Sequence, residues 1–218
     1  MRTTRLYLIL ALCLTLISCS PANVKVACVG DSITYGHGIS NREHDAYPAV
    51  LGDMLGEKFE VKNFGVSGRT LMNSSDMPYM SESVYKEALA FNPDIVTIKL
   101  GTNDSKPYNW LHKENFKSDL ITLINSFQTL PSKPNIFLCL PAPAMGNAWN
   151  ISDSVIFYGV IPIIKEVAKE KRLNVIDLYS PLKAHPDFFS DTIHPNEEGS
   201  RQIARIIYQA ITEKKENS

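Results

Sequence analysis

The 218 residues suit a single domain with a sizeable core, because 44% of them are hydrophobic and 21% are charged. The 22 lysines and arginines nearly balance the 23 aspartates and glutamates, and the resulting net charge of −1 argues against a dedicated nucleic-acid-binding protein. The composition also excludes a disordered or collagen-like chain, and four cysteines are too few for a disulfide scaffold.

The first element in chain order is an apolar run that is typical of a secretory signal. Two arginines precede residues 6–17, which form a stretch shorter than the roughly 20 apolar residues that cross a bilayer. The run ends in Leu-Ile-Ser-Cys, which resembles a bacterial lipobox with Cys19 as the acylated residue. We therefore expect a lipoprotein signal peptide over 1–18, a tether over 19–23 and an exported protein of the bacterial cell envelope, periplasmic or anchored to the outer membrane. An ordinary cleaved signal with an incidental cysteine is the alternative.

Five runs after the tether predict β-strands. They are rich in β-branched residues or nearly continuous in apolar residues, as expected for strands that are mostly covered on both faces. These runs are 24–30, 59–63, 94–100, 135–140 and 174–179. Cys28 and Cys139 lie inside two of them, so we expect buried free thiols, although the sequence does not exclude a disulfide between them.

Segments with helical spacing of apolar residues alternate with the strands. We expect helices over 46–58, 83–90, 116–130 and 162–172, and a last helix that Asn196 caps and whose apolar stripe includes residues 203–211. This alternation predicts a parallel sheet with helices on both faces, and hence a single three-layer α/β/α domain over residues 24–215. Two long irregular stretches, 65–81 and 141–159, are expected to be functional loops.

Polar residues follow four of the predicted strands. Ser32 follows the first strand, Gly65 the second, Asn103 the third, and an Asp-x-x-His pair of Asp191 and His194 follows the fifth. Each has an ordinary interpretation as a turn or helix-entry residue. Ligands of parallel sheets bind beyond the carboxyl ends of the strands, so all five should meet at one edge. Acyl transfer needs this set of a nucleophile, a base, a group that orients the base and oxyanion donors.

The four sequence blocks that carry these residues resemble those of the SGNH, or GDSL-type, hydrolases. They read GDSIT at 30–34, NFGVSG at 63–68, GTND at 101–104 and DTIHPN at 191–196. The resemblance spans the chain beyond the signal segment, and its one small departure is Ile-Thr where the founding motif has leucine. It implies a flavodoxin-like architecture with a five-stranded parallel sheet.

The resemblance also implies a role for each matching residue. Ser32 is the expected nucleophile, His194 the general base, and Asp191 the group that orients the imidazole. The backbone amides of Ser32 and Gly65 and the side chain of Asn103 are the expected oxyanion hole.

Among such hydrolases, the chain is similar to secreted bacterial members that act on acetylated sugars, chiefly through the GTNDSKPYNW stretch at 101–110. We expect a serine esterase that removes small acyl groups, acetyl above all, from a carbohydrate. A general short-chain esterase or lysophospholipase, and a non-catalytic glycan-binding lipoprotein, are the alternatives. Residues expected at the rim of the site are Tyr35, His37, Tyr79, Asn109, Trp110, Asn147 and Trp149. An equal alternative for Trp110 and Trp149 is that each only anchors its loop.

Other ligand classes find little support in the sequence. The histidines and carboxylates show no tight metal-ligand spacing, and no glycine-rich nucleotide motif follows the first strand. We therefore expect no required metal, no cofactor, no nucleic-acid partner, and contact with a membrane only through the lipid on Cys19. The sequence leaves the oligomeric state open.

Overall fold

The structure, a computed structural model, describes residues 23–216. The predicted signal peptide and the lipidation site Cys19 lie outside the described residues and stay predictions. None of the described helices has both the length and the apolar character needed to span a membrane.

A five-stranded parallel sheet forms the centre of the fold, in the order β2-β1-β3-β4-β5. This order is the flavodoxin-like one, and it confirms the predicted fold class. The strands are β1 Val24–Gly30, β2 Phe59–Gly65, β3 Ile95–Lys99, β4 Asn135–Leu140 and β5 Asn174–Asp177.

Helices cover both faces of the sheet. The α-helices are α1 Ser32–Tyr35, α2 Arg42–Asp45, α3 Tyr47–Leu55, α4 Ser83–Ala90, α5 Pro107–Trp110, α6 Phe116–Gln128, α7 Asp153–Val155, α8 Ile161–Lys171, α9 Tyr179–Lys183 and α10 Glu197–Glu216. Short 3₁₀ turns occupy Tyr79–Ser81, Asn103–Ser105, Lys113–Asn115, Ala148–Asn150 and Pro186–Phe188, and a π-helical turn, Ile156–Val160, leads into α8.

The core is divided into two layers by the sheet, because successive side chains of a strand point to opposite faces. In β1, Ala27 and Val29 pack with residues of α4, α6 and α8, whereas Val26 and Cys28 pack with α3, α9 and α10. Both Cys28 and Cys139 are buried free thiols, as predicted, and burial raises the pKa of Cys28 to about 12.

Three strands have boundaries that differ from the predicted ones. Strand β3 is one residue shorter at each end, at Ile95–Lys99 where 94–100 was predicted, and the other two differ for identifiable reasons. Strand β2 continues to Gly65 because its register with β1 pairs Gly65 with Gly30. Strand β5 ends at Asp177 rather than at residue 179, because one oxygen of the Asp177 carboxylate accepts hydrogen bonds from the backbone N–H groups of Tyr179 and Ser180. These bonds turn the chain into α9.

Candidate active site

A tight turn places Ser32 at the carboxyl end of β1. Gly30 ends the strand, and a Cβ on it would lie 2.1 Å from the hydroxyl oxygen of Thr34, so the turn requires glycine there. The Asp31 carboxylate accepts a hydrogen bond from the N–H of Ile33 at 3.0 Å and thereby caps α1. Ser32 is therefore the first residue of a short helix that starts directly at the sheet edge.

A buried ion pair holds this turn against the end of the neighbouring strand β3. The Lys99 ammonium donates to both carboxylate oxygens of Asp31, at 2.9 and 3.0 Å, and to the Thr102 hydroxyl at 2.9 Å. Neither charged side chain has any exposed surface. Burial lowers the pKa of Lys99, and the Asp31 carboxylate offsets part of that effect. All three ammonium protons thus have acceptors, which a buried lysine requires.

A chain of hydrogen bonds joins Ser32 to His194 and Asp191. The Ser32 hydroxyl lies 2.9 Å from His194 Nε2, although the two residues are 162 positions apart, and His194 Nδ1 lies 2.7 Å from Asp191 Oδ2. The other Asp191 oxygen accepts from the backbone N–H groups of Ile193 and His194, at 3.0 and 2.7 Å. With Nδ1 donating to the carboxylate, Nε2 is the free acceptor for the serine proton.

The pKa shifts of Asp191 and His194 are consistent with this chain of hydrogen bonds. Burial disfavours the ionised form of Asp191, but the hydrogen bonds from His194 and Ile193 outweigh burial and lower the pKa of the carboxyl group. Burial also lowers the pKa of His194, an effect that Asp191 opposes and that the nearby His37 reinforces. His194 is therefore neutral at neutral pH, and a neutral imidazole can accept a proton.

The turn between Asp191 and His194 contains a residue in a left-handed conformation. Thr192 has φ of 71°, which is uncommon for a β-branched residue. Its carbonyl accepts a hydrogen bond from the N–H of Met145 at 2.7 Å, and a Cβ on Gly146 would approach its hydroxyl to 2.7 Å. The loop after β4 therefore holds this turn in place.

A cavity of about 210 Å³ opens beside Ser32 and His194. Asn103 and Gly68 line the cavity with them. The backbone N–H groups of Ser32 and Gly68 donate to no other group within residues 23–216, and the Asn103 amide nitrogen uses one of its two protons on the carbonyl of Arg69, at 3.0 Å. Three hydrogen-bond donors are thus available on one wall.

The structure does not support Gly65 as an oxyanion donor. Its N–H already donates to the Asn63 side chain at 2.9 Å, and Gly65 is not among the residues that line the cavity. Glycine is needed there for another reason, since a Cβ would lie 2.2 Å from the backbone nitrogen of Tyr35 in α1. Gly68, three residues later in the same block, takes the position expected for Gly65.

The buried side chain of Asp104, which was not among the predicted site residues, anchors the loop that carries Gly68. The Asp104 carboxylate accepts from the N–H groups of Leu71 and Met72, each at 2.9 Å. Burial raises the pKa of Asp104 to about 7 against the opposing effect of these two bonds. Asn109 donates to the carbonyl of Asn103 at 3.0 Å. The signal for Asp104 was its place within the GTND block.

Of the seven predicted rim residues, only His37 and Trp149 line the cavity. The ring centroid of His194 lies 4.3 Å from that of His37 and 5.0 Å from that of Trp149. Trp149 has φ of 52°, is followed by a second left-handed residue, and has 53% of its surface exposed. An aromatic ring is thus presented to solvent at the cavity mouth.

The other five rim predictions do not hold for this cavity. Tyr79 and Asn109 are buried, and Tyr79 donates from its hydroxyl to the carbonyl of Phe64. The Tyr35 ring packs against the Arg42 guanidinium, whose Cζ lies 3.7 Å from the ring centroid. Two further residues lie outside the cavity lining, namely Trp110, which packs against Phe116, and the exposed Asn147.

His37, Asp191 and His194 form the one cluster of candidate metal ligands within the described residues, with ligand atoms within 4.8 Å of one another. Both nitrogens of the His194 ring are engaged, one with Asp191 and the other with Ser32. A metal ion held by His194 would have to break this hydrogen-bond chain.

Comparison with known proteins places this geometry in context. Residues 28–202 match the model of the GDSL-like Lipase/Acylhydrolase family. An acetylxylan esterase of Xylanibacter ruminicola is 46% identical over 206 residues, which cover 86% of this chain and 43% of that protein. A multidomain esterase of Ruminococcus flavefaciens is 24% identical, over 89% of this chain and 29% of that protein. The chain thus spans less than half the length of the curated relatives it matches.

Solved structures share the fold. A lipase/acylhydrolase from Enterococcus faecalis superposes with a TM-score of 0.71 at 26% identity, covering 88% of this chain and 96% of that one. A carbohydrate acetylesterase family member from Sinorhizobium meliloti superposes with a TM-score of 0.66 at 21% identity, covering 86% and 97%.

Removing the Lys99 ammonium should be strongly destabilising. Lys99→Met leaves the Asp31 carboxylate buried without its counter-charge, so we expect the free energy of unfolding to fall by about 3–5 kcal/mol. Urea denaturation followed by circular dichroism measures this loss.

Two further variants make that measurement specific. The double variant Asp31→Asn with Lys99→Met removes both charges while keeping a capping side chain, and it should recover most of the loss. Lys117→Met, which removes an exposed ammonium paired with Glu166, should leave the free energy of unfolding nearly unchanged. Equal stability of Lys99→Met and the parent chain would contradict the importance of the pair.

Proposed function

The chain belongs to the GDSL-like lipase/acylhydrolase family, and we propose that it is a serine esterase that removes small acyl groups, acetyl above all, from a carbohydrate. The observation that carries the proposal is the hydrogen-bond chain from the Ser32 hydroxyl through His194 to Asp191, with contacts of 2.9 and 2.7 Å. Such a chain can turn a weakly nucleophilic hydroxyl into an attacking group.

In the proposed reaction, Ser32 Oγ attacks the ester carbonyl while its proton passes to His194 Nε2. The tetrahedral intermediate then collapses, the C–O bond to the alcohol breaks, and His194 protonates the leaving oxygen. Water attacks the acyl-serine by the same steps, with His194 again taking the proton, and releases the acid. Asp191 keeps the proton of the neutral ring on Nδ1 and stabilises the imidazolium formed at each attack.

The developing oxyanion is proposed to accept hydrogen bonds from Ser32 N–H, Gly68 N–H and the remaining proton of the Asn103 amide nitrogen. All three residues line the cavity next to the hydroxyl, and all three donors are free within the described chain. Donors that are already fixed in place stabilise the transition state without reorganisation at the moment of reaction.

The shape of the cavity favours a small acyl group and a sugar alcohol. Its volume of about 210 Å³ leaves little room for a long acyl chain, and Ile151 and Ile193 supply apolar wall. At the mouth, the exposed ring of Trp149 suits stacking against the apolar face of a sugar ring. The 46% identical relative named as an acetylxylan esterase adds support for a carbohydrate ester.

The alternatives differ from this proposal in measurable ways. A general short-chain esterase would hydrolyse simple esters as well as acetylated sugars, and a lysophospholipase would prefer long acyl chains. A glycan-binding lipoprotein would bind sugars without reacting at Ser32. The hydrogen-bonded Ser32 hydroxyl weighs against the last, because binding alone does not require an activated nucleophile.

We predict that a fluorophosphonate probe labels Ser32 and that acetylated oligosaccharides release acetate. Ser32→Ala should fold normally, lose the label, and lower kcat by more than about 10³-fold. Peptide mass mapping locates the label, and an acetate assay measures turnover. Ser40→Ala, which removes an exposed hydroxyl outside the cavity, should keep both label and turnover. Turnover of Ser32→Ala at the rate of the parent chain would disprove the assignment.

The pH dependence should report the titration of His194. Protonation removes the acceptor at Nε2, so kcat/KM falls as the pH drops through the pKa of His194. Because burial lowers that pKa below its ordinary value of 6.5, we expect the acid limb to have its midpoint below pH 6.5. Acetate release measured across pH 4–8 gives the midpoint. A midpoint above pH 7 would mean that another group limits the reaction or that His194 is not buried as described.

A further inference from the structure

Lys106 brings a positive charge to the wall of the cavity that contains Ser32 and His194. Only 9% of its surface is exposed. Within residues 23–216, its ammonium makes no hydrogen bond and no ion pair, and it lies 6.0 Å from the centroid of the Tyr108 ring. The charge therefore has no carboxylate partner in the described chain.

In this Lys106 differs from Lys99, the other buried lysine within residues 23–216. The buried Lys99 is fully paired with Asp31 and Thr102. The exposed lysines Lys117 and Lys183 each contact a carboxylate oxygen within 3.0 Å. A counter-charge stabilises a cation whose side chain has little exposed surface, and a ligand can supply that charge.

The backbone fixes Lys106 next to the proposed oxyanion site. Its N–H donates to the carbonyl of Asn103 at 3.3 Å, and its own carbonyl accepts from the N–H groups of Asn109 and Trp110 at 3.0 and 2.9 Å. Pro107 follows directly and restricts Lys106 to an extended conformation. The backbone of Lys106 is therefore held on the same turn as Asn103, and the residue lines the wall of the cavity.

A second unpaired polar group lines the same cavity. The Ser67 hydroxyl oxygen is buried and has no hydrogen-bond partner within the described residues. No carboxylate is among the residues that line the cavity, so its fixed formal charge is the single positive charge of Lys106. A cation and a hydroxyl donor together suit a carboxylate, whose two oxygens share one negative charge.

We propose that Lys106, assisted by Ser67, binds a carboxylate on the substrate, so that the preferred alcohol is an acidic glycan that carries its acetyl ester on or beside a uronic acid. This specificity rests on the proposed esterase function. Lys106 acts on recognition and not on the chemical step, so its removal should raise KM for acidic substrates more than it lowers kcat.

The test compares two substrates that differ in charge, acetylated oligogalacturonate and acetylated xylo-oligosaccharide without uronic acid. The parent chain should show the higher kcat/KM on the acidic substrate. Lys106→Met should lower kcat/KM on that substrate by about 10- to 100-fold, as expected for a lost charge-assisted hydrogen bond, and on the neutral one by much less. Lys106→Glu should reverse the preference. Lys113→Met, which removes an exposed lysine outside this cavity, should change neither value.

Salt provides a second measurement that needs no variant. Added sodium chloride screens the attraction, so it should lower kcat/KM on the acidic substrate while leaving the neutral substrate nearly unchanged. This measurement tests the electrostatic attraction to the acidic substrate even if Lys106→Met fails to fold, and Lys106→Glu then tests the residue.

The outcomes separate the two proposals. The role of Lys106 is overturned if neither Lys106→Met nor salt changes the ratio of kcat/KM on the acidic substrate to kcat/KM on the neutral one. It is also overturned if the parent chain favours the neutral substrate. In both cases acetate release still supports the esterase. No acetate from either substrate or from p-nitrophenyl acetate overturns the esterase function and the Lys106 proposal with it.

Discussion

The ion pair between Lys99 and Asp31 connects the geometry of the site to the sheet. Lys99 is the last residue of β3, and its ammonium reaches Asp31 at the end of β1 and Thr102 beyond β3. Ser32 follows Asp31 directly, and Asn103 follows Thr102 directly. A single buried cation therefore sets the distance between the hydroxyl and the amide that line the cavity. Since the pair has no exposed surface, water cannot take over its hydrogen bonds, and the two strand ends stay in register.

The loops around the cavity depend on buried acceptors in the same way. Asp104 holds the backbone at Leu71 and Met72, and Asn103 holds the carbonyl of Arg69. These bonds fix the segment that carries Gly68. The cavity therefore combines a rigid wall from the strand ends with loops held by specific hydrogen bonds, while Trp149 stays exposed at the mouth. This arrangement provides the fixed donors that the proposed acyl transfer requires.

The sequence predicted the sheet well because strands covered on both faces leave apolar runs that need no tertiary information. It also predicted that Ser32, Asp191 and His194 meet, since parallel strands end at one edge of a sheet, and the structure brings these side chains into hydrogen-bond contact. It pointed to Gly65, whereas Gly68 is the glycine of this block that lines the cavity. The two are three residues apart, and only the pairing of β2 with β1 shows that Gly65 is still in the strand. The rim predictions failed where burial depends on packing, as for Asn109.

Charge partners were equally hidden from the sequence. A lysine within the apolar run of β3 gives no sign that its acceptor is Asp31, 68 positions earlier. Nothing in the sequence distinguishes Lys106, because the absence of a nearby carboxylate is a property of the folded cavity. Such long-range pairings carry much of the specificity of this site, whereas local patterns determine the fold that supports it.

A crystal structure of the chain after reaction with a small alkyl fluorophosphonate tests the central claim most directly, because the phosphonyl oxygen mimics the oxyanion. We predict phosphorus bonded to Ser32 Oγ. The phosphonyl oxygen should lie about 2.7–3.1 Å from the backbone nitrogens of Ser32 and Gly68 and from Asn103 Nδ2. Phosphorus on another residue, or an oxygen held by Gly65 and not by Gly68, would contradict it.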